Sequence, residues 1–434
     1  MSVAQRGARW SVSVFRCAGR GLLVNFVVAC CLTALASSAR AQEREPEAPA
    51  LPAPLDVGTV VRLAGARRAE IAAANARAGA ASERPAIVSA LPDPMVIGQI
   101  NHVPLDFHSI FASLTVQQEI PLSGVLGNRR RAAEADADHW SAETHRVALD
   151  VELEALQAFF ALAARRATTS VLDDQIAITE QLLVIARAHY GAGQGTEADV
   201  LRLENEAARF RSDRQALDAD IRGAEAALDT VLARDLHAPI PALAWNDEVE
   251  DPPTLATLVA KAVANRPELA ATRAERRSAL ADVDVMKSMY QPVALLRAGP
   301  AYMTANGPGA MLVVGLSVPI WRDRLAAGVN EAQSTAAMRG AELAAIDRII
   351  RGDVAVAREE VLAERTRLLA IQQDILPRAR RVVSSAMGSF AAGQGAMLAV
   401  LDPTRDLLAI RLEEITARRR LSVAWAKLRR ATGE

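Results

Sequence analysis

The chain is written twice, and that limits the folds open to it more than any other feature. Residues Tyr190–Leu201 read YGAGQGTEADVL, and 200 positions later Phe390–Leu401 read FAAGQGAMLAVL. Identity falls at Ala192/Ala392, Gly193/Gly393, Gln194/Gln394, Gly195/Gly395, Val200/Val400 and Leu201/Leu401. Upstream, ARRAEIAAANA (Ala66–Ala76) matches ANRPELAATRA (Ala264–Ala274) at an offset of 198, and EIPLSGVLGNRR (Glu119–Arg130) corresponds to SVPIWRDRLAAG (Ser317–Gly328) at the same offset. Three landmarks in one order at nearly one spacing mark a tandem duplication.

The repeats span 42–253 and 254–434. The first is expected to hold a helix from Leu55 to about Glu83, a β-hairpin at about 95–121, a long helix 124–190, a returning helix 196–235 and a linker 236–253. The second is expected to hold helices in 254–290, a β-hairpin at about 292–320, a long helix 322–390 and a returning helix 396–432. The segment 124–190 has no proline and 322–390 only Pro377, so each would reach roughly 100 Å at the rise of an α-helix. Helices of that length must pack along their sides. Leu149, Leu153, Leu156 and Phe160 form one stripe at steps of three and four, and Leu217, Ile221, Ala224 and Leu228 form another on the first returning helix. The second long helix carries Leu343, Ile346, Ile350, Val354, Ala357, Val361, Leu368, Ile371 and Ile375 at coiled-coil spacing. Pro377 should bend that helix and remove one backbone hydrogen bond. The returning helix 196–235 is shorter, and adding the helix of Pro267–Tyr290 nearly restores the full length. This predicts a return in two pieces, with the proline-rich linker Leu236–Pro253 as a belt partway along.

Four short segments alternate like strands. In SIFASLTVQQEI (Ser109–Ile120), Ile110, Ala112, Leu114 and Val116 interleave with Ser109, Ser113, Thr115 and Gln117. PVALLRAGPAYM (Pro292–Met303) and AMLVVGLSVPI (Ala310–Ile320) flank the turn TANGPG (Thr304–Gly309), and MVIGQINHV (Met95–Val103) is the weakest of the four. One apolar and one polar face suit a barrel wall between lipid and water. Four strands cannot close a barrel, which takes about eight or more, so a barrel shared between chains is favoured over an exposed open sheet. Trp321 suits the aromatic belt of a membrane interface, or a packed junction between strand and helix.

The first residues read as an export signal. Arg6, Arg9, Arg16 and Arg20 precede an apolar run, Leu22–Ala36, and Ala39-Arg40-Ala41 offers a cleavage site, so 1–41 is expected to be a signal peptide. An uncleaved membrane anchor, for which the apolar run is short, and lipidation of Cys30 are the alternatives. All three cysteines (Cys17, Cys30, Cys31) lie there, which leaves a mature chain without thiols or disulfides. The leader holds five Arg and none of the 51 acidic residues, so the mature chain is net acidic, with nothing to suggest nucleic acid. No later stretch is apolar enough for a membrane helix, so entry into a membrane would take a β-barrel. The six histidines (His102, His108, His139, His145, His189, His237) form no i, i+4 pair, and no metal site, cofactor motif or catalytic constellation is visible.

Taken together these motifs resemble the TolC family, the outer-membrane channels of tripartite efflux and type I secretion systems. The resemblance rests on ANRPEL leading into a helix, IPLSG and VPIWR opening the long helices, and the two Gly-rich turns running into DVL and VLDPTR. LPDPM (Leu91–Met95) and LSVPIWRDRLAAGV (Leu316–Val329) look most like the CzcC/CusC branch serving heavy-metal RND pumps. The resemblance implies a mainly α fold with a small β part. It implies a homotrimer in which a shared 12-stranded outer-membrane β-barrel continues as a long periplasmic α-helical barrel. It further implies a passive exit duct, not an enzyme, partnered by a periplasmic adaptor and an inner-membrane RND-type pump. Heavy-metal cargo stands beside drug or protein cargo, and a non-pore coiled-coil scaffold or adaptor is the reading of another class.

GAGQG also invites a phosphate-loop reading, but a long helix precedes it, no P-loop lysine follows and no parallel sheet is visible. Helix reversal is the better account, since glycine takes the left-handed conformation that ends a helix. Thr196 suits the next N-cap with Asp199 three residues on, whereas the second turn has Ala396. On the resemblance, the turn residues Gly193, Gln194, Gly195, Thr196, Gly393, Gln394 and Gly395 are candidate adaptor contacts. Leu398 and Asp402, with Arg405 one turn on, fall at the family's constriction. Three Asp402 carboxylates would favour cations there; an N-cap or a solvated face is the plainer role for Asp402. Pro403 departs from the expected pattern.

Overall fold

The computed structural model describes residues 51–434 except 102–109, 237, 247, 248, 305 and 395, and Pro52–Glu434 form one unit. The expected signal peptide lies outside the described residues. The first repeat contains α1 (Val57–Arg67), α2 (Ala69–Ser89), β1 (Met95–Asn101), β2 (Phe111–Pro121), α3 (Val125–Gly191) and α4 (Glu197–Val231). The second contains α5 (Leu255–Asn265), α6 (Pro267–Ser288), β3 (Val293–Met303), β4 (Gly307–Ser317), α7 (Arg322–Ala370), a π-helical turn (Ile371–Ile375), α8 (Leu376–Ala391) and α9 (Leu398–Thr432).

The sequence predicts a single opening helix, Leu55 to about Glu83, in the first repeat and helices within 254–290 in the second; each repeat opens with two. The breaks fall at Arg68 (φ −68, ψ 124) and Arg266 (φ −61, ψ 118), 198 positions apart. Pro267 disfavours helical backbone at the residue before it. Arg68 has no such neighbour, and the two sites share a second device. Arg68 donates to Glu70 through Nε (3.0 Å) and Nη2 (2.8 Å), as Arg266 does to Glu268 through Nε (2.9 Å) and Nη2 (3.3 Å).

Helices α3 and α7–α8 form the long uprights. Near the sheet, α3 is flanked by α2 and α6; toward the turns it is flanked by α4 and α9. Arg68–Glu154 and Arg277–Asp138 tie the first set, Arg211–Glu180 and Arg411–Asp174 the second. The return is in two pieces, but not the pieces expected from chain order. Helix α6 continues α9, because Arg266 Nη1 donates to the Ala431 carbonyl (3.2 Å). The linker after α4 instead meets the start of α1, with Leu55 N–H donating to Ala242 O and Ala244 N–H to Leu55 O, both at 2.8 Å.

The second upright departs from its expected continuity. Ile371–Ile375 form a π turn in which Leu376 N–H bonds Ile371 O, and Pro377 follows directly. In a regular α-helix the Pro377 ring would strike the carbonyl four residues back; the wider turn accommodates it. The extra residue also shifts the seam. Ile350, Val354, Ala357, Val361, Leu368 and Ile371 are buried as the stripe predicts, but Ile375 is 44% exposed and Leu376 (4%) takes its place, followed by Val383 and Phe390.

The four strands form one antiparallel sheet in the order β1-β2-β3-β4. Strand β4 starts at Gly307 (φ +79), inside the turn TANGPG expected from the sequence, and ends at Ser317 and not Ile320. Pairing of β2 with β3 skips Leu114–Thr115 opposite Gly299–Pro300. Pro300 has no N–H to give to the ladder, and a Cβ on Gly299 would lie 2.1 Å from Leu114 O, so glycine is required where the strands close up.

Candidate functional site

Two ends of the molecule carry its chemistry: the paired turns and the sheet. Each turn closes in the same way. Helix α3 ends with Gln194 N–H on His189 O (2.8 Å) and Gly193 N–H on Tyr190 O (3.0 Å); α8 ends with Gln394 N–H on Ser389 O and Gly393 N–H on Phe390 O, both 3.0 Å. Gly193 (φ +70) and Gly393 (φ +72) take the left-handed conformation this motif needs. A Cβ on Gly195 would come within 3.3 Å of His189 Cβ and Tyr190 N, so that glycine is set by close approach. Gly395 lies outside the described residues.

The turns differ on their outgoing sides. Thr196 Oγ1 donates to Asp199 Oδ2 (2.7 Å) and accepts from Asp199 N–H (3.3 Å), a reciprocal cap. Helix α9 starts at Leu398 from Met397 with no side-chain cap. The turns sit against each other: the His189 and Phe390 rings are 5.2 Å apart, and Leu182, Leu183, Ala186 and Leu203 pack with Phe390, Met397, Val400 and Leu401.

The three constriction candidates lie on the first turns of α9. Leu398 (48%) and Asp402 (side chain 68%) are exposed, and Arg405 Nη1 is 3.8 Å from Asp402 Oδ1. Arg405 also makes a close ion pair with Glu206 of α4, whose side chain is 11% exposed. Sequence reasoning missed Glu206, although it falls on the face of α4 that buries Leu203, Ala207 and Phe210. A carboxylate on an apolar stripe calls for a partner, and that was the available signal.

At the other end, the sheet has its faces inverted relative to a water-soluble one. Ser113 (8%), Thr115 (1%) and Gln117 (9%) are covered, while Val96 (70%), Ile100 (70%), Leu114 (57%), Val116 (51%), Leu312 (69%), Val314 (74%) and Leu316 (58%) are exposed. The register pairs Val96 with Val116, Val116 with Ala298, and Ala298 with Leu312, so these apolar residues share one face. Beyond β4 the exposed apolar run continues through Val318, Ile320 and Trp321 (69%), which is the N-cap residue of α7 and is not packed into a junction.

Residues 258–434 match the sequence family described as Outer membrane efflux protein. The chain is 23% identical over 288 residues to the outer membrane efflux protein BepC of Brucella suis biovar 1 (strain 1330), a match covering 64% of this chain and 62% of BepC. This chain therefore spans less than two thirds of that relative. Its fold is similar to that of CusC (TM-score 0.76, 15% identity, 87% of this chain and 92% of the other). It is likewise similar to VceC of Vibrio cholerae (TM-score 0.73, 15% identity, 87% and 96%). The chain thus resembles outer membrane efflux proteins, in sequence over its second repeat and in fold over most of its length.

A sheet with an apolar outward face suits a barrel wall in lipid. Among the described residues no helix is long and apolar enough to cross a membrane, and no group of three or more His, Cys, Asp or Glu is placed to hold a metal ion. Where the helical pieces of the second repeat meet, Arg430 donates to Asp150 Oδ1 (2.7 Å) and Glu268 Oε1 (2.6 Å). Burial, the largest influence, pushes the Glu268 carboxyl up, but the hydrogen bonds from Arg430 and Arg266 outweigh it and hold it below the usual carboxylate value.

Proposed function

We propose that the chain is the outer-membrane exit duct of a tripartite efflux system, conducting substrate passively from an inner-membrane RND-type pump and a periplasmic adaptor to the exterior. The observation that carries this reading is the sheet: four strands with an exposed apolar face, too few to close, attached to uprights that end in paired turns. Three copies would supply twelve strands, within the range of membrane barrels. The turn residues Gly193, Gln194, Gly195, Thr196, Gly393 and Gln394 are the surface offered to the adaptor. Leu398 and Asp402 form the constriction, and the Arg405–Glu206 pair ties the second hairpin to the first beside it. Trp321 anchors the barrel at the membrane interface. Pro377, with the π turn before it, sets the taper of the tube near the mouth.

The finer assignment, heavy-metal cations as cargo, draws on the motif resemblance to the CzcC/CusC branch and on the ring that three Asp402 carboxylates would make. Membrane fractionation and native mass test the duct: an outer-membrane trimer is expected, and a soluble or inner-membrane species would refute it. Deleting the chain and screening metals against drugs tests the cargo. Single-channel recording of Pro377→Ala should show altered conductance; an unchanged value would remove Pro377 from the geometry of the mouth.

A further inference from the structure

The water-side face of the sheet carries charge at two levels. Only two residues of the four strands are charged, Glu119 on β2 and Arg297 on β3. Both lie opposite the apolar face: Arg297 pairs with Gln117 and with Val313, and Glu119 is two residues beyond Gln117 along β2. Side chains two residues apart on a strand point the same way, so Arg297, Gln117, Val313 and Glu119 share that face. Arg297 is also held in place. The carbonyl Oε1 of Gln117 accepts from its Nε (3.0 Å) and Nη2 (2.5 Å), so the guanidinium lies along the wall at the level of that pair. Since β2 runs toward the helices, Glu119 stands one step nearer the periplasmic end and Arg297 one step nearer the exterior.

From this placement we infer that Arg297 is a specificity-determining residue of the duct. Repeated three times around the barrel, it forms a basic ring in the aqueous interior, one level outward of a ring of Glu119 carboxylates. This rests on the proposed exit duct, because only a closed barrel turns that face into a lumen. The outer end of the passage then attracts anions and resists free cations, opposite in sign to what Asp402 would set up at the other end. Cargo that is anionic, or a cation carried with bound anions, meets the lower barrier on leaving. A unit charge about 10 Å away in water changes the local energy by roughly 0.4 kcal/mol, about twofold in local ion concentration, and salt near 1 M screens it.

The test uses the full chain, reconstituted in phosphatidylcholine vesicles. Val313→Cys places a thiol directly across from Arg297 on the same face, and Val314→Cys places one on the apolar face. Water-soluble methanethiosulfonates, one anionic and one cationic, should label Val313→Cys and leave Val314→Cys unlabelled, with the parent chain as blank. At low salt, adding Arg297→Gln to Val313→Cys should lower the anionic-to-cationic rate ratio by about twofold or more, and 1 M salt should erase that change. Glu119→Gln should raise the ratio. Equal labelling of Val313→Cys and Val314→Cys would overturn the barrel itself, and this inference with it. Selective labelling with a ratio indifferent to Arg297→Gln would overturn the Arg297 ring alone and leave the duct standing.

Discussion

The two repeats use one template with unequal firmness. The first upright, α3, is an unbroken helix of 67 residues whose turn hands over to a capped helix. The second is interrupted by a π turn and a proline, and its turn hands over to an uncapped helix with Pro403 inside its second turn. The arginine breaks differ in the opposite sense. Glu70 beside Arg68 is 55% exposed, whereas Glu268 beside Arg266 is 18% exposed and shares Arg430, itself 13% exposed. The second repeat is thus locked where its pieces meet and relaxed toward its tip, while the first is uniform. If one hairpin moves when the mouth opens, this distribution selects the second.

The largest expected effect comes from removing the surplus residue. Deleting Gln373 should close the π turn into regular α-helix, with Leu376 then four residues after Ile371 and still on the seam, but with the Pro377 ring pressed against a carbonyl one turn back. The loss should be at least about 3 kcal/mol by thermal melting, largely restored by adding Pro377→Ala. A mild effect would mean that the π turn does not serve to accommodate Pro377. Next is the contrast between the breaks. Glu268→Gln leaves two mostly covered guanidinium groups short of a partner and should cost about 3 kcal/mol. Glu70→Gln at the exposed copy should cost about 0.5 kcal/mol. Comparable costs would dissolve the asymmetry.

The same pair has a pH signature. Because the Glu268 carboxyl is held below its usual value, its stabilising contribution is complete above that value and is lost as pH falls through the lowered one. Melting temperature should therefore drop on acidification below about pH 4.5, the ordinary range of a glutamate, and Glu268→Gln should flatten part of that drop. Smaller still is the contrast at the caps. Thr196→Ala should cost about 1 kcal/mol, and Ala396→Thr should gain at most about 0.5 kcal/mol, because Met397 intervenes before α9. Equal and opposite changes would mean that the turns differ in composition only.

Much of this architecture is legible in the sequence because duplication and helix periodicity are long-range signals. The uprights, the Gly turns and the alternating strands are each set by local chemistry repeated at a fixed spacing. The π turn is also written there, in a form easily passed over. The offset between repeats is 198 at the strand exits and 200 at the turns, so the second upright carries surplus residues, and Pro377 marks where a helix can absorb one. The pairing of helical pieces was not legible. Chain order suggested that α6 follows α4, and only the contact between Arg266 and Ala431 shows that it continues α9. Glu206 was hidden for a related reason, since its partner Arg405 is on the other repeat.

The inverted sheet has a consequence for the life of a newly made chain. On the exit-duct reading, a single copy between export and insertion would carry a greasy panel whose outer strands, β1 and β4, each have an edge unpaired within the chain. That makes the lone copy a poor solute and a ready template for mispairing. On the trimer reading, reaching lipid and meeting two siblings become one event, so the yield of finished channel should fall more steeply than the rate of synthesis. Expression level would then set quality as well as quantity.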